Sequence, residues 1–187
     1  MVALLDLWLP IALSAVFVFV ASSVIHMATP LHKDDYKKLP NEDAVLDALR
    51  PHAVPLGTYA FPRAGSMKEM GSPEYAAKQK RGPVGFVTML PNAPVNMGKH
   101  LAQWFAFSLF ISITCAYVAG IVLAPGADSM TVMRVTATVA FAGYGLSNVT
   151  DSIWKGVSWA VTARFLLDGL VYAVVTGVAF LWLWPGA

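Results

Sequence analysis

Four long runs of apolar residues alternate with polar stretches along this chain, at about Leu4–Met27, His100–Leu123, Met130–Val149 and Val161–Trp184. A helix that rises about 1.5 Å per residue needs roughly 20 apolar residues to cross about 30 Å of hydrocarbon, and each run approaches or exceeds that length. The pattern therefore predicts four membrane-spanning helices. Pro10 falls near the start of the first run, where a missing N–H costs least. The third run is the weakest, because it includes Arg134, Thr131, Thr136, Thr138 and the Gly143/Gly145 pair. A cleaved signal peptide would want a positive start and a shorter apolar core, whereas the only early charge is Asp6. The first run is accordingly read as a span.

Residues 29–99 form a polar insert between the first two runs, so the chain divides into helix 1 (1–28), the insert (29–99) and helices 2–4 (100–187). Asn41 followed by Glu42 and Asp43 places a cap and two acids at a helix start, with Val45, Leu46 and Leu49 leading to Arg50. Ser72-Pro73-Glu74 repeats that start signal, and Gly82 after Lys78, Lys80 and Arg81 ends it. Gly57–Pro62 and Val84–Leu90 read as short extended segments able to pair. With many prolines and little apolar surface, the insert is not expected to fold without the membrane helices.

Positive charge near helix ends is retained on the cytoplasmic side. Lys33, Lys37, Lys38 and Lys99 flank the insert, Lys155 and Arg164 lie at the third connection, and Ala124–Ser129 carries no basic residue. The insert is therefore expected inside and both termini outside, in a bacterial inner membrane. The basic insert suits an anionic lipid surface or an acidic partner.

Composition narrows the function. The chain is 57% hydrophobic and 13% charged, against about 25% charged in soluble domains, which excludes a soluble enzyme. Cys115 is the only cysteine, so neither a disulfide framework nor a Cys-rich zinc module is available. A net charge of +2 is too small for a nucleic-acid binder.

Helices in lipid pack through small residues that let backbones approach. Ala116, Gly120 and Ala124 form one such stripe, and Gly169, Ala173 and Gly177 another. Within one chain both would face the interior of a four-helix bundle, the favoured reading, and on the outside they would form a dimer or partner surface. Thr136, Ala140, Tyr144 and Asn148 share one face of the third helix, leading to Asp151. Arg164 and Asp168 are four apart and able to pair, with Tyr172 one turn deeper. At the same boundary, His26 ends the first helix and His100 begins the second. The predicted polar cluster is therefore His26, His100, Gln103, Tyr144, Asn148, Asp151, Arg164 and Asp168.

Chemistry at this cluster is less clearly signalled. An ionisable group in a spanning helix is costly enough to suggest a role, yet an Arg164–Asp168 pair would neutralise itself. Haem would want ligands deeper in the bundle. Zinc would need His26 and His100 joined by further ligands, for which Asp34, Asp35 or Asp151 are the choices, with His32 nearby, and no HExxH or cysteine spacing is present. Neither haem nor a metal is expected, bound lipid is, and no catalytic set is assigned. No phosphate loop, dinucleotide-binding glycine pattern or GxSxG elbow occurs. Trp8, Trp104, Trp154, Trp159, Trp182 and Trp184 read as an interfacial belt.

The stretch Asp151-Ser-Ile-Trp-Lys-Gly with Trp159, Asp168, Tyr172, Gly177 and Trp182-Leu-Trp184-Pro resembles the last helix of small bacterial four-helix membrane proteins grouped as families of unknown function. Ala21–His26 and Leu31–Tyr36 resemble the start of such proteins. The resemblance covers the membrane helices only and implies four spans without an activity. The expected function is a non-catalytic accessory or assembly subunit in a larger membrane complex or homo-oligomer. A small transporter or proton-coupled channel is the alternative, and a membrane enzyme using His26, His100 and Asp151 is a third reading.

Overall fold

A computed structural model of the chain describes residues 1–186. They divide into two compact units: Met1–Tyr36 with the chain from Asn96 onward, and Lys37–Val95. The boundary thus falls inside the expected insert, and residues 29–36 belong with the membrane helices.

In the first unit, a 3-10 turn at Leu4–Leu7 leads into α1 (Trp8–Ser23), whose last turn widens into a π-helical turn at Val24–Ala28. Three helices are long and apolar enough to cross a membrane: the continuous run Leu4–Ala28, α5 (Met97–Val122) and α8 (Trp159–Trp182). The third apolar run departs from expectation. Its helix, α6, covers only Ser129–Tyr144, followed by a 3-10 turn at Leu146–Asn148 and a short α7 (Val149–Lys155). The break has a local cause. The Asn148 side-chain amide donates to the carbonyls of Tyr144 (2.9 Å) and Gly145 (3.0 Å), satisfying the end of α6. At the same place α8 comes close, since a Cβ on Gly169 would lie 2.6 Å from Gly145 Cα.

Within this unit α1 packs on α5 and α8, and α6 packs on the same two helices. Leu7, Val18, Cys115, Val132 and Phe180 are fully buried between them. Hydroxyls are held inside the helices: Ser108, Ser112 and Thr136 donate to carbonyls one turn back, while Ser14 also donates to Ser112 Oγ across the α1–α5 contact (2.8 Å). The small-residue stripes lie inside but meet different surfaces. Gly120 lies against the Val2 carbonyl, Gly169 against Gly145, and Gly177 against Met133 and Ala137, with Ala116 and Ala173 buried beside them. Ala124 falls beyond the end of α5, in an exposed turn.

Backbone contacts define the two ends of these helices. At one end Val2 N–H donates to Gly120 O (2.8 Å), Gly126 N–H to Pro185 O (2.8 Å) and Trp184 Nε1 to Ala124 O (2.9 Å). The exit of α1, the starts of α5 and α8 and the end of α6 lie at the other. Two tryptophans therefore leave the expected belt: Trp184 is buried on that carbonyl, and Trp104 turns inward to donate to Ser22 Oγ (2.8 Å). Trp8, Trp154, Trp159 and Trp182 remain exposed.

The second unit is mixed, with the two extended segments paired as their sequence predicts, and the described chain is mostly helical. It contains α2 (Glu42–Leu49), the short α3 (Met67–Met70), α4 (Pro73–Arg81) and two antiparallel strands, β1 (Gly57–Phe61) and β2 (Gly85–Met89), in register from Gly57↔Met89 to Phe61↔Gly85. Ser72 Oγ accepts from Tyr75 N–H at the start of α4, and Gly82, at φ +66°, ends it. Asn41 precedes α2 in a left-handed conformation and makes no side-chain cap. Tyr75, donating to Pro62 O (2.9 Å), is the buried residue of this unit.

Candidate functional site

The chain leaves α1 through Thr29-Pro30, which cannot continue the helix, and turns tightly: Lys33 N–H donates to Pro30 O and Asp35 N–H to His32 O. This turn sets His32 and Asp35 against α8. The His32 ring lies 5.3 Å from the Phe165 ring and 4.3 Å from the His26 ring, centre to centre.

A chain of polar contacts follows. Arg164 Nε donates to Asp35 Oδ1 (2.7 Å), with its terminal nitrogen 2.5 Å from the same oxygen. The other Asp35 oxygen accepts from His32 Nδ1 (2.6 Å). On the far side of the ring, His32 Nε2 lies 3.0 Å from Asp168 Oδ2, and His26 Nε2 lies 4.0 Å from that oxygen. Asp35 and Asp168 side chains are each 3% exposed. The expected Arg164–Asp168 pair is replaced: arginine turns to Asp35, and the histidines take the place beside Asp168.

Electrostatics outside the helices follow from this geometry. Burial opposes charge on His32, but the hydrogen bond to Asp35 and attraction by Asp168 and Asp35 outweigh it, so its pKa lies above the ordinary histidine value. Burial opposes the Asp35 carboxylate likewise, yet His32 and Arg164 hold its pKa below the ordinary range. Asp168 remains incompletely satisfied. Although His32 Nε2 and Asp168 Oδ2 lie 3.0 Å apart, both Asp168 oxygens and His32 Nε2 are buried without a hydrogen-bond partner.

Asp168 forms part of the wall of a cavity of about 720 Å³ at this end of the helices. His26, His100, Tyr144 and Asn148 also line it, together with Trp104 and Tyr172, which sequence reasoning left out of the cluster. Trp104, Tyr144 and Tyr172 form an aromatic group with centroids 5.5–6.0 Å apart, and Tyr144 Oη donates to Ser108 O (3.4 Å). Two expected members stand apart. Gln103 is exposed and does not line the cavity, and Asp151 pairs with Lys155 (2.8 Å). Arg164 joins only through Asp35. His32 and Asp35 were also left out of the cluster, and their signal was the i, i+3 spacing in the turn that follows Pro30.

The chain matches no protein-family model, no curated protein and no solved structure.

Proposed function

We propose that this chain is a multi-pass membrane protein that takes an amphipathic small molecule into the cavity at its cytoplasmic boundary and handles the polar end with Asp168 and its histidines. The observation carrying this reading is Asp168, a nearly fully buried carboxylate without a hydrogen bond, at the wall of a largely aromatic and aliphatic cavity. The apolar lining suits a lipid-like body, while Asp168, His26, His100 and Asn148 suit a polar head.

Four spans in a bacterial inner membrane, with both termini outside, complete the proposal. The helix α6 of about 24 Å and the following 3-10 turn of about 6 Å together approach the hydrocarbon thickness of about 30 Å. The contacts of Val2 with Gly120 and of Pro185 with Gly126 support a return of the chain between α5 and α8. Lys33, Lys37, Lys38 and Lys99 favour the cavity end inside.

A brominated fatty acid tests the cavity, because it quenches tryptophan on contact and Trp104 stands in the wall. With the full chain in detergent micelles, saturable quenching is expected, and it should be reduced in Trp104→Phe and abolished by Ser147→Phe, which fills the lining. Unsaturable quenching, or saturation unchanged in Ser147→Phe, overturns the reading.

The accessory-subunit function remains the second reading, favoured by exposed Leu46 and Leu49 on α2. Apolar positions of this kind suit a partner protein in a larger complex or a second copy of the chain.

A further inference from the structure

His32 Nε2 and Asp168 Oδ2 face each other where Asp168 forms the cavity wall. Asp35 is held as a carboxylate by two nitrogens of Arg164, so it accepts from His32, and the proton of a neutral His32 ring sits on Nδ1. In that neutral form Nε2 presents its lone pair toward Asp168 Oδ2, 3.0 Å away, and neither atom has a hydrogen-bond partner. A metal ion taking the place of a proton on Nε2 would satisfy both atoms.

We infer that His26, His32 and Asp168 bind a divalent first-row transition-metal ion, Zn²⁺ or a close analogue, with Asp35 orienting His32 and the open coordination positions facing the cavity. This deepens the reading of the cavity, on which it rests for access.

The distances fit. Metal bonds of about 2.0–2.2 Å put neighbouring ligand atoms about 2.8–3.6 Å apart and opposite ones no more than about 4.4 Å apart. The His32–Asp168 separation of 3.0 Å is an edge of such a polyhedron, and the His26–Asp168 separation of 4.0 Å lies within the wider limit. One ligand atom from each of the three residues can be chosen so that all lie within 4.8 Å of one another. His26 is 45% exposed on its side chain, on a π-helical turn, and has room to close the remaining gap. Two imidazoles and one carboxylate select a transition metal over Mg²⁺ or Ca²⁺, which prefer oxygen. The Asp35–His32 hydrogen bond is the outer support that metal-binding histidines usually have, fixing the tautomer and the ring. Three protein ligands leave a position open for water or for the polar end of a bound molecule.

Co²⁺ reports the site directly, because its visible bands appear only with a defined ligand field. The full chain in detergent micelles, freed of metal by chelation and dialysis, is titrated with Co²⁺ and then with Zn²⁺ or Mg²⁺. Expected are saturation at about one ion per chain, displacement by Zn²⁺ and indifference to Mg²⁺. Asp168→Asn and His32→Gln should abolish the bands, Asp35→Asn should weaken binding roughly 10–100-fold, and Asp151→Asn should bind as the wild type does. A wild type without a saturable site, or Asp168→Asn and His32→Gln with unchanged affinity, overturns the inference. Should those variants fail to fold, diethyl pyrocarbonate modification of the wild type decides. Zn²⁺ should protect His26 and His32 but leave His52 reactive, and equal modification with and without Zn²⁺ overturns the inference. Intact fatty-acid quenching without a Co²⁺ site removes the metal alone. A Co²⁺ site without saturable quenching removes the lipid-like ligand alone.

Discussion

At the residue scale, the decisive feature is the exchange of partners around Asp168. Helical spacing made Arg164 legible as a charge near Asp168, but spacing within one helix carries no information about a segment 129 residues away that competes for the same guanidinium. Asp35 wins through a two-nitrogen contact that a single ammonium could not make. Arg164→Ala should therefore leave the buried Asp35 with His32 as its one remaining partner. About 3–5 kcal/mol is typical when one partner of a buried pair is removed, and partial exposure of Arg164 places the loss toward or below the low end. Asp35→Leu combined with Arg164→Met should recover most of it in thermal unfolding of the micellar protein. Glycines give a second comparison. A Cβ at Gly169 meets backbone at 2.6 Å, whereas at Gly177 the nearest atom, at 2.9 Å, belongs to the flexible Met133 side chain. Gly169→Ala should cost about 1–3 kcal/mol in the same measurement, and Gly177→Ala less.

At the element scale, the helices that cross by length were legible because apolar length alone decides them, and their ends moved by only a few residues. Local chemistry also revealed α4, whose start and stop need nothing beyond Ser72, Pro73 and Gly82. The third apolar run was misread as continuous, because its break depends on the approach of α8 to Gly145 as well as on Gly145 itself. The turn at residues 29–36 was less legible still: its conformation is held by Arg164 and Asp168, which arrive from the far end of the chain. The start of α6 is local again. Asp128 Oδ2 accepts from Thr131 N–H (2.9 Å) and Oγ1 (3.0 Å), which hold its pKa below the ordinary carboxylate range. A folded pKa below the unfolded one means that the cap stabilises above the unfolded value and is lost as pH falls through the folded value. Hydrogen exchange at Thr131, corrected for the intrinsic pH dependence, should lose protection on acidification, and Asp128→Ala should lack protection at both pH values.

At the scale of the whole molecule, the proposed orientation is open to a direct measurement. Cysteines introduced at Ser66 and Ala127, in a Cys115→Ala background, should react with an impermeant reagent in intact cells only at Ala127. Labelling of Ser66 would place the cavity on the opposite side of the membrane and sink the proposed topology. The order in which the parts emerge during synthesis adds a further consequence. His32 and Asp35 leave the ribosome before α8, which carries Arg164 and Asp168. Until that helix enters the membrane, the turn after α1 lacks both groups that hold it. Assembly of the Asp35–Arg164 and His32–Asp168 contacts thus waits for α8, and it marks a chain in which α8 has been inserted.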